Sequence, residues 1–417
     1  MGQTIYEIIL ARTSSTKAFK TGDIIWIRPD LIACTDFNTR EKPEQLRQVG
    51  LQRLPKPEKL VVVVDHAPEQ ALAPENSEME KTMRDWVKKE KVFNFYDTGR
   101  GGFMCQIIAE KGHVRPGMMV LTGDPEGEAC GALGAFVTGG EDMLMPLAID
   151  ELWLEVPDVV KYIIKGKFDR GVLSIDLRYK LLGDFGEEFG KFIEFQGPAI
   201  KDMSIDQRMN LCSSLYLIGS NGIIAADQKT IDYVRNRTHA PFEVVRSDAD
   251  AKYADVFEYD VSRLGPQVVF PPSTSNTKTV GEAEGIDIDQ AFIGGCTNGR
   301  LDDLRIAADI LKGRKLHSRV RMFVTPISQE VYLAALKEGL ISIFIDAGIV
   351  VTIPSCGVCP GHIGRLASGE ACISTSTVNT PGRMGSTEAK IYLASPATVA
   401  ASAIEGKIVD PRNYLLV

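Results

Sequence analysis

Three cysteines stand in two glycine-bearing segments, Ile293-Gly294-Gly295-Cys296-Thr297-Asn298-Gly299-Arg300 and Pro354-Ser355-Cys356-Gly357-Val358-Cys359-Pro360-Gly361. Thiolates are soft ligands, and a Cys-x-x-Cys pair lets two of them grip one metal centre. Backbone N–H groups in glycine turns can hydrogen-bond to the sulfides of such a centre. The number of thiols matters. Four cysteines close a [4Fe–4S] cube, whereas three leave one iron with an open position, able to act as a Lewis acid on a hydroxyl or carboxylate. Spacing alone leaves two other readings open: a structural zinc site completed by a residue such as His362, or a redox Cys-x-x-Cys.

Both segments follow stretches that read as strands, Ile288–Ile293 and Ile341–Thr352. Lys59–Val64, Met118–Thr122 and Val320–Val324 read as further buried strands, and Glu44–Val49, Pro74–Glu90, Leu301–Leu311 and Gln329–Glu338 read as helices, with Ser328 as an N-cap. Alternation of this kind predicts α/β layers, in which ligands bind where loops leave the strand ends. Composition shifts near residue 155 and over Pro266–Glu284, the latter read as a linker, divide the chain into expected domains 1–155, 156–282 and 283–417.

With 417 residues, 44% hydrophobic and 24% charged, the chain has the composition of a multidomain globular protein rather than a disordered or fibrous one. A net charge of −8 argues against a nucleic-acid partner. The short basic runs Lys88–Lys91 and Lys312–Lys315 read as solvated helix faces. Met1–Arg12 lacks a signal-peptide profile, and no apolar run reaches bilayer length, so a cytoplasmic location is expected. In that reducing compartment the eight cysteines are thiols or metal ligands, with Cys34, Cys130, Cys212 and Cys372 read as core thiols.

The two cysteine segments and the C-terminal third closely resemble the large subunit of 3-isopropylmalate dehydratase and homoaconitase, in the aconitase superfamily. The resemblance rests on Phe292–Leu304, Thr325–Cys359, Gly369–Ser376 and Gly382–Tyr414, the last containing Tyr392-Leu393-Ala394-Ser395-Pro396-Ala397-Thr398, and more weakly on Ile8–Asp36, Val61–Pro68, Gly131–Gly139 and Met203–Cys212. It implies an α/β fold of three α/β/α domains around a central [4Fe–4S] cluster, held by Cys296, Cys356 and Cys359. It also implies that the swivelling domain, which carries the family's catalytic serine, belongs to a separate small subunit. Asp65-His66 matches the family's Asp-His pair, suited to moving a proton to a leaving hydroxyl. Arg383 matches an arginine that binds a substrate carboxylate. Asn298 and Arg300 match residues that shape the cluster loop.

Departures gather where substrate is expected. The family's Asp-Ser-His-Thr reads Asp124-Pro125-Glu126-Gly127, and its Gly-x-Gly-Ile-x-His-Gln reads Gly99-Arg100-Gly101-Gly102-Phe103-Met104-Cys105-Gln106, with one residue inserted and Cys105 in place of histidine. Asn-Arg-Asn has become Thr377-Val378-Asn379, Cys-Asn-x-x-x-Glu has become Cys212-Ser213-Ser214-Leu215-Tyr216-Leu217, and a His-Asp pair has become Thr35-Asp36. Removing one buried hydrogen bond to a charged group costs about 1.5–3 kcal/mol, which argues against ordinary isopropylmalate as substrate. Asp124 and Glu126 join Asp65 and His66 as catalytic candidates. Cys105 is a fourth cluster ligand, a catalytic thiol or a packed replacement. Thr377 and Asn379 join Arg383, Asn298 and Arg300 on the substrate side. The expected function is that of the large subunit of a [4Fe–4S] hydro-lyase or isomerase acting on a small 2-hydroxy carboxylic acid. The rival readings are a lyase acting on another leaving group such as sulfur, and a cluster-bearing paralogue without catalysis.

Overall fold

Continuous β-branched runs become strands buried on both faces, as parallel sheets require. A computed structural model describes residues 2–16, 18–66, 74–140 and 143–415. Of the stretches named above, Met1–Arg12 begins and Val61–Pro68 ends outside those residues. The chain forms two compact units, Met1–Ile164 with Gly190–Tyr259, and Lys165–Phe189 with Asp260–Val417.

The first unit contains β1 (Ile24–Ile27), β2 (Leu31–Thr35), β3 (Leu60–Val63), β4 (Asn94–Tyr96), β5 (Met119–Thr122), β6 (Phe136–Gly139), β7 (Leu152–Glu155), β8 (Val159–Lys165), β9 (Phe192–Gln196), β10 (Gly222–Ile223) and β11 (Asp255–Asp260). Five of them build an all-parallel sheet in the order β4-β3-β2-β5-β6. Its inner strands are wholly buried, and Ile32, Cys34, Leu60, Val62, Met119 and Leu121 form part of its core. A second sheet runs β10-β9-β8-β11, with β8, β9 and β10 parallel, and β1 pairs β7 as an antiparallel ribbon. The helix expected over Pro74–Glu90 is present with those bounds, and Glu44–Val49 appears as Lys42–Gln48.

The second unit is built on one seven-stranded sheet from β12 (Gln267–Val269), β13 (Thr277–Thr279), β14 (Gln290–Ile293), β15 (Arg321–Val324), β16 (Val350–Val351), β17 (Ala371–Ser374) and β18 (Lys390–Ala394), in the order β13-β12-β18-β17-β14-β15-β16. The last five strands in that order are parallel, and β12 lies antiparallel to both β13 and β18. The helix Leu301–Leu311 buries Leu304, Ala307, Ala308 and Leu311, the three–four spacing of an amphipathic face, in the same core as Ala291, Ile293 and Ile373. Ser328 caps the helix Gln329–Lys337, its hydroxyl accepting from the Val331 N–H at 3.1 Å.

Two local expectations are corrected. Pro266–Glu284 is not a linker: it supplies the β12–β13 hairpin and a short helix, Val280–Ala283. Its polar, proline-broken text reflects an edge hairpin, where alternation is short and one face is exposed. Ile341–Thr352 is not one strand. It divides into the helix Leu340–Ala347 and the two-residue β16, separated by Gly348 in the left-handed region (φ 99°). Leu340, Ile341, Phe344 and Ala347 are the buried positions, a helical period that the β-branched composition obscured.

The two parallel arrays share one strand order. Numbered along the chain, each runs third-second-first-fourth-fifth across the sheet. Each therefore has a switch point, between β2 and β5 in the first unit and between β14 and β17 in the second, where the outgoing loops part and leave a crevice. Among the described residues, no helix is long and apolar enough to cross a membrane.

Candidate functional site

In the second unit the switch point is lined by the loops leaving β14 and β17. Thr375 clips them together. Its hydroxyl accepts from the Gly294 N–H and donates to the Gly294 carbonyl, both at 2.9 Å, while the Thr297 hydroxyl donates to the Thr375 carbonyl at 2.7 Å. The loop carrying Cys296 presses on the backbone after β15, where a Cβ on Gly294 or Gly299 would lie 2.7 or 2.4 Å from the Thr325 carbonyl oxygen. With φ of 144° and 90°, both positions need glycine. At the far end of the loop, one oxygen of Asp303 accepts from Asn298 Nδ2 (3.2 Å), the Gly299 N–H (3.0 Å) and the Arg300 N–H (3.1 Å). Arg300 is wholly buried and donates Nη1 to the Thr297 carbonyl at 2.8 Å. Asn298 and Arg300 thus brace the loop. Cys296 Sγ ends 3.3 Å from Thr377 Oγ1, across the switch point.

Cys356 and Cys359 leave the end of β16 in a tight turn, where the Gly357 carbonyl accepts from the N–H groups of His362 (2.9 Å) and Ile363 (3.0 Å). Gly361 has φ 74°, and its missing Cβ would stand 2.5 Å from the Met384 carbonyl oxygen, so the Arg383–Met384 segment lies directly against this turn. Arg383 Nη2 donates to Cys359 Sγ at 3.3 Å. The charge of Cys359, then those of Cys296 and Cys356, raise the arginine's pKa against the effect of burial, so the guanidinium lies within electrostatic reach of all three sulfurs. Asn379 is buried beside Thr377 in the loop after β17, and its Nδ2 reaches the Ser273 carbonyl at 3.5 Å.

The donor set can be tested against candidate metals. A single tetrahedral zinc ion, with sulfurs at about 2.3 Å, brings its thiolates to roughly 3.8 Å from one another. Among the described residues, the only set of three or more ligand side chains whose atoms lie within 4.8 Å is Asp36, Asp65 and His66, so Cys296, Cys356, Cys359 and His362 are too spread for that ion. His362 is also exposed. A polynuclear cluster needs the wider spacing. The buried atoms Asn298 Oδ1, Asn379 Oδ1 and Arg383 Nε have no partner among the described residues, which leaves polar groups in reserve around the thiols. The residues present fit an iron–sulfur cluster.

The first unit places different chemistry at its strand ends. Asp65 and His66 follow β3, and Asp36 follows β2. His66 Nδ1 lies 2.6 Å from Asp65 Oδ1 and 3.7 Å from Asp36 Oδ1. Asp36 Oδ1 also accepts from the N–H groups of Asp65 (3.1 Å) and His66 (3.0 Å), and Asp65 Oδ2 accepts from the Met104 N–H (2.9 Å). Burial lifts Asp65 to about 6 even though His66 pulls it down. Burial pushes Asp36 upward as well, but its interactions with His66 and the two N–H groups outweigh that and hold it below the usual range. The half-exposed ring of Phe37 lies 5.7 Å from the imidazole, centroid to centroid.

Asp124 follows β5 across this switch point and caps the next turn, accepting from the Glu126 N–H at 2.9 Å. Glu126 is buried, with the Ser214 hydroxyl 3.0 and 3.3 Å from its two oxygens. Cys105 is buried in the first turn of the helix Met104–Glu110, and its carbonyl accepts from the Cys130 thiol at 3.2 Å. Cys34, Cys130, Cys212 and Cys372 are wholly buried, as expected of core thiols, and burial pushes Cys34 and Cys372 up to about 12. Asp303 and Thr375 escaped the sequence reading, and Asp36 was read only as the remainder of an altered His-Asp pair. Asp36 follows a strand, Asp303 stands at the third position of a helix, and Thr375 follows a strand, and each position was itself a signal.

The sequence profile described as the aconitase family (aconitate hydratase) matches residues 6–283 and 273–406. The chain belongs to the aconitase family. It is 42% identical over 422 residues to 3-isopropylmalate dehydratase large subunit 1 of Methanopyrus kandleri, with all of both chains covered. It is 42% identical to the 3-isopropylmalate dehydratase large subunit of Heliobacterium modesticaldum (99% and 100% covered) and 41% identical to that of Aquifex aeolicus (99% and 97% covered). The crystal structure of Thermococcus kodakaraensis aconitase X in its holo form superposes with a TM-score of 0.50 at 14% identity, covering 84% of each chain, a likeness of fold. As an aconitase-family protein, this chain is a hydro-lyase with a [4Fe–4S] cofactor, and the spread of its three thiols agrees.

Proposed function

We propose that this chain is the large subunit of a two-part cytoplasmic dehydratase for a small 2-hydroxy acid less highly charged than isopropylmalate, completed by a separate small subunit. Arg383 carries the proposal: it is the guanidinium within electrostatic reach of the three thiols, at 3.3 Å from Cys359. When bound, a [4Fe–4S] cluster held by Cys296, Cys356 and Cys359 supplies an open iron as Lewis acid for the substrate hydroxyl. Arg383 orients one carboxylate of the substrate while its charge offsets that of the thiolates. Asp65 holds protonated His66 through Nδ1–H, which leaves the Nε2–H of the imidazolium to pass its proton to a departing hydroxyl. The small subunit, like that implied by the relatives' large-subunit names, contributes the base.

Substrate charge is where this chain parts from those relatives. Val378 stands between Thr377 and Asn379 where an arginine is expected, and Leu217 stands where a glutamate is expected. With one guanidinium instead of two, a second carboxylate would be desolvated without a partner. The test is anaerobic reconstitution with iron, sulfide and the small subunit, followed by ultraviolet detection of the unsaturated product from a panel of 2-hydroxy acids of increasing charge. Higher kcat/KM for a less charged acid than for isopropylmalate is expected. Equal or better turnover of isopropylmalate would refute the charge assignment, and no dehydration of any acid by the loaded, complete enzyme would refute the function.

A further inference from the structure

The third parallel sheet also opens at its carboxyl ends. Gly197, with φ 113°, ends β9 in a turn so close to β8 that a Cβ would stand 2.2 Å from the Ile164 carbonyl oxygen. The chain then starts the short helix Pro198–Asp202, and beyond β10 it continues through Ile224–Asp227. A pocket of about 660 Å³ lies over these ends, within the range of about 300–1,000 Å³ typical of small-molecule sites. Buried Phe195, Ile200 and Ile224 supply apolar wall.

Its charges are unevenly committed. Glu194 receives Gln196 Nε2 at 2.6 Å, the Ser247 hydroxyl at 2.5 Å and the Tyr253 hydroxyl at 2.8 Å. Asp227 is gripped by both terminal nitrogens of the buried Arg208, at 2.9 and 2.6 Å. Arg208 balances the charge of Asp227, and the lone pairs of buried Glu194 are taken up by three neutral donors. The two cations of the lining, Lys201 and Arg246, have no carboxylate partner among the described residues; Arg246 donates Nη2 to the Ala226 carbonyl at 3.0 Å, and Lys201 is exposed. Two positive groups over an apolar floor, at the strand ends where α/β sheets bind ligands, match an anion with a hydrocarbon body.

We infer that this pocket is a second binding site, separate from the thiol-bearing loops, for an aliphatic dicarboxylate held by Lys201 and Arg246. The site stands apart from the dehydratase reading and survives that reading's failure. Its test is calorimetric titration of full-length protein carrying Arg383→Ala, which silences carboxylate binding at the thiol loops, with glutarate, adipate and inorganic phosphate. One equivalent of glutarate or adipate is expected to bind. Adding Arg246→Ala or Lys201→Ala, both exposed positions with little bearing on folding, should weaken binding about tenfold or more, the effect expected for one charge-assisted hydrogen bond. Arg246→Lys should restore part of it. Absence of saturable binding, binding indifferent to both substitutions, or binding of phosphate without either dicarboxylate overturns the assignment.

Discussion

Two parallel arrays with the same strand order carry opposite chemistry at their switch points. In the first unit, Asp36 and Asp65 hold His66 and its backbone by hydrogen bonds, and Asp124 adds to the charge around Asp65. In the second, the charges of three thiols act on one guanidinium, which donates to the nearest of them. Topology sets where a ligand can sit, and the half-dozen residues leaving the strands decide what is done to it. Under the proposed function, the carboxylate–imidazole array moves a proton and the thiol array holds the cluster.

The largest effect should come from the thiol array. Cys356→Ser removes a soft ligand, and with two thiols left the cluster has no stable seat. Iron and sulfide content and the visible absorbance of the anaerobically loaded protein should fall to background, and turnover with them. Full iron content in the variant would show that Cys356 is not a ligand. Breaking the carboxylate–imidazole array should look different. His66→Ala should lower kcat about 10²–10⁴-fold, the range for removing a general acid, while iron and sulfide stay at the unmodified level. Parallel loss of iron in that variant would overturn the division of labour.

Much of this contrast was legible in the chain. The three cysteines declared themselves by their glycine neighbours, because Gly294 and Gly299 must pack on the Thr325 carbonyl for the loop to turn. Asp65-His66 was legible because it ends an unbroken run of β-branched residues. The helices Pro74–Glu90 and Leu301–Leu311 were bounded correctly, the first by its leading proline and closing lysines, the second by its three–four apolar spacing and acidic first turn. The fold was harder to read where local composition and tertiary context disagreed. Leu340–Ala347 has a strand's composition but a helix's burial period. Pro266–Glu284 reads as unstructured because the hydrogen bonds that order it come from β18, more than a hundred residues away. The supporting interactions of the site were the least visible. The third position of a helix and the end of a strand are local marks of Asp303 and Thr375, but neither mark names the three loop donors that Asp303 accepts from or the β14 loop that Thr375 clips.

Asp303 gives an intermediate test, because it braces the cysteine loop from its far end. Asp303→Ala strands the N–H groups of Gly299 and Arg300 and the amide of Asn298 in a buried setting, at a cost of about 2–4 kcal/mol in stability. Cluster loss under air should quicken, while freshly loaded enzyme keeps kcat within about tenfold of the unmodified protein. Asp303→Asn retains one acceptor oxygen and should fall between the two. A purely structural role for Asp303 would lower the melting temperature without changing the rate at which the visible absorbance decays.

The smallest effect concerns charge within the first array, and its sign follows from burial. Asp65 is lifted to about 6 in the folded protein, above an unfolded value near 4. Its contribution to stability is therefore present in full below about pH 4 and is lost as pH rises through 6. Asp36 is held low, so its contribution is present above about pH 4 and is lost as pH falls through its folded value. The Asp36 contribution changes below about pH 4 and that of Asp65 between about pH 4 and 6, so on their account the melting temperature should fall modestly from pH 5 to 6 and stay level from there to pH 8. Activity is the better reporter. Below about pH 6 Asp65 takes up a proton and can no longer hold His66 through an ionised carboxylate, so kcat should fall on the acid side. Asp65→Asn keeps an acceptor oxygen but no charge. It should lower kcat about tenfold at pH 8 and flatten the acid limb, with iron content unchanged. An acid limb near pH 6 that persists in Asp65→Asn would assign that titration to another group and leave Asp65 a spacer beneath His66.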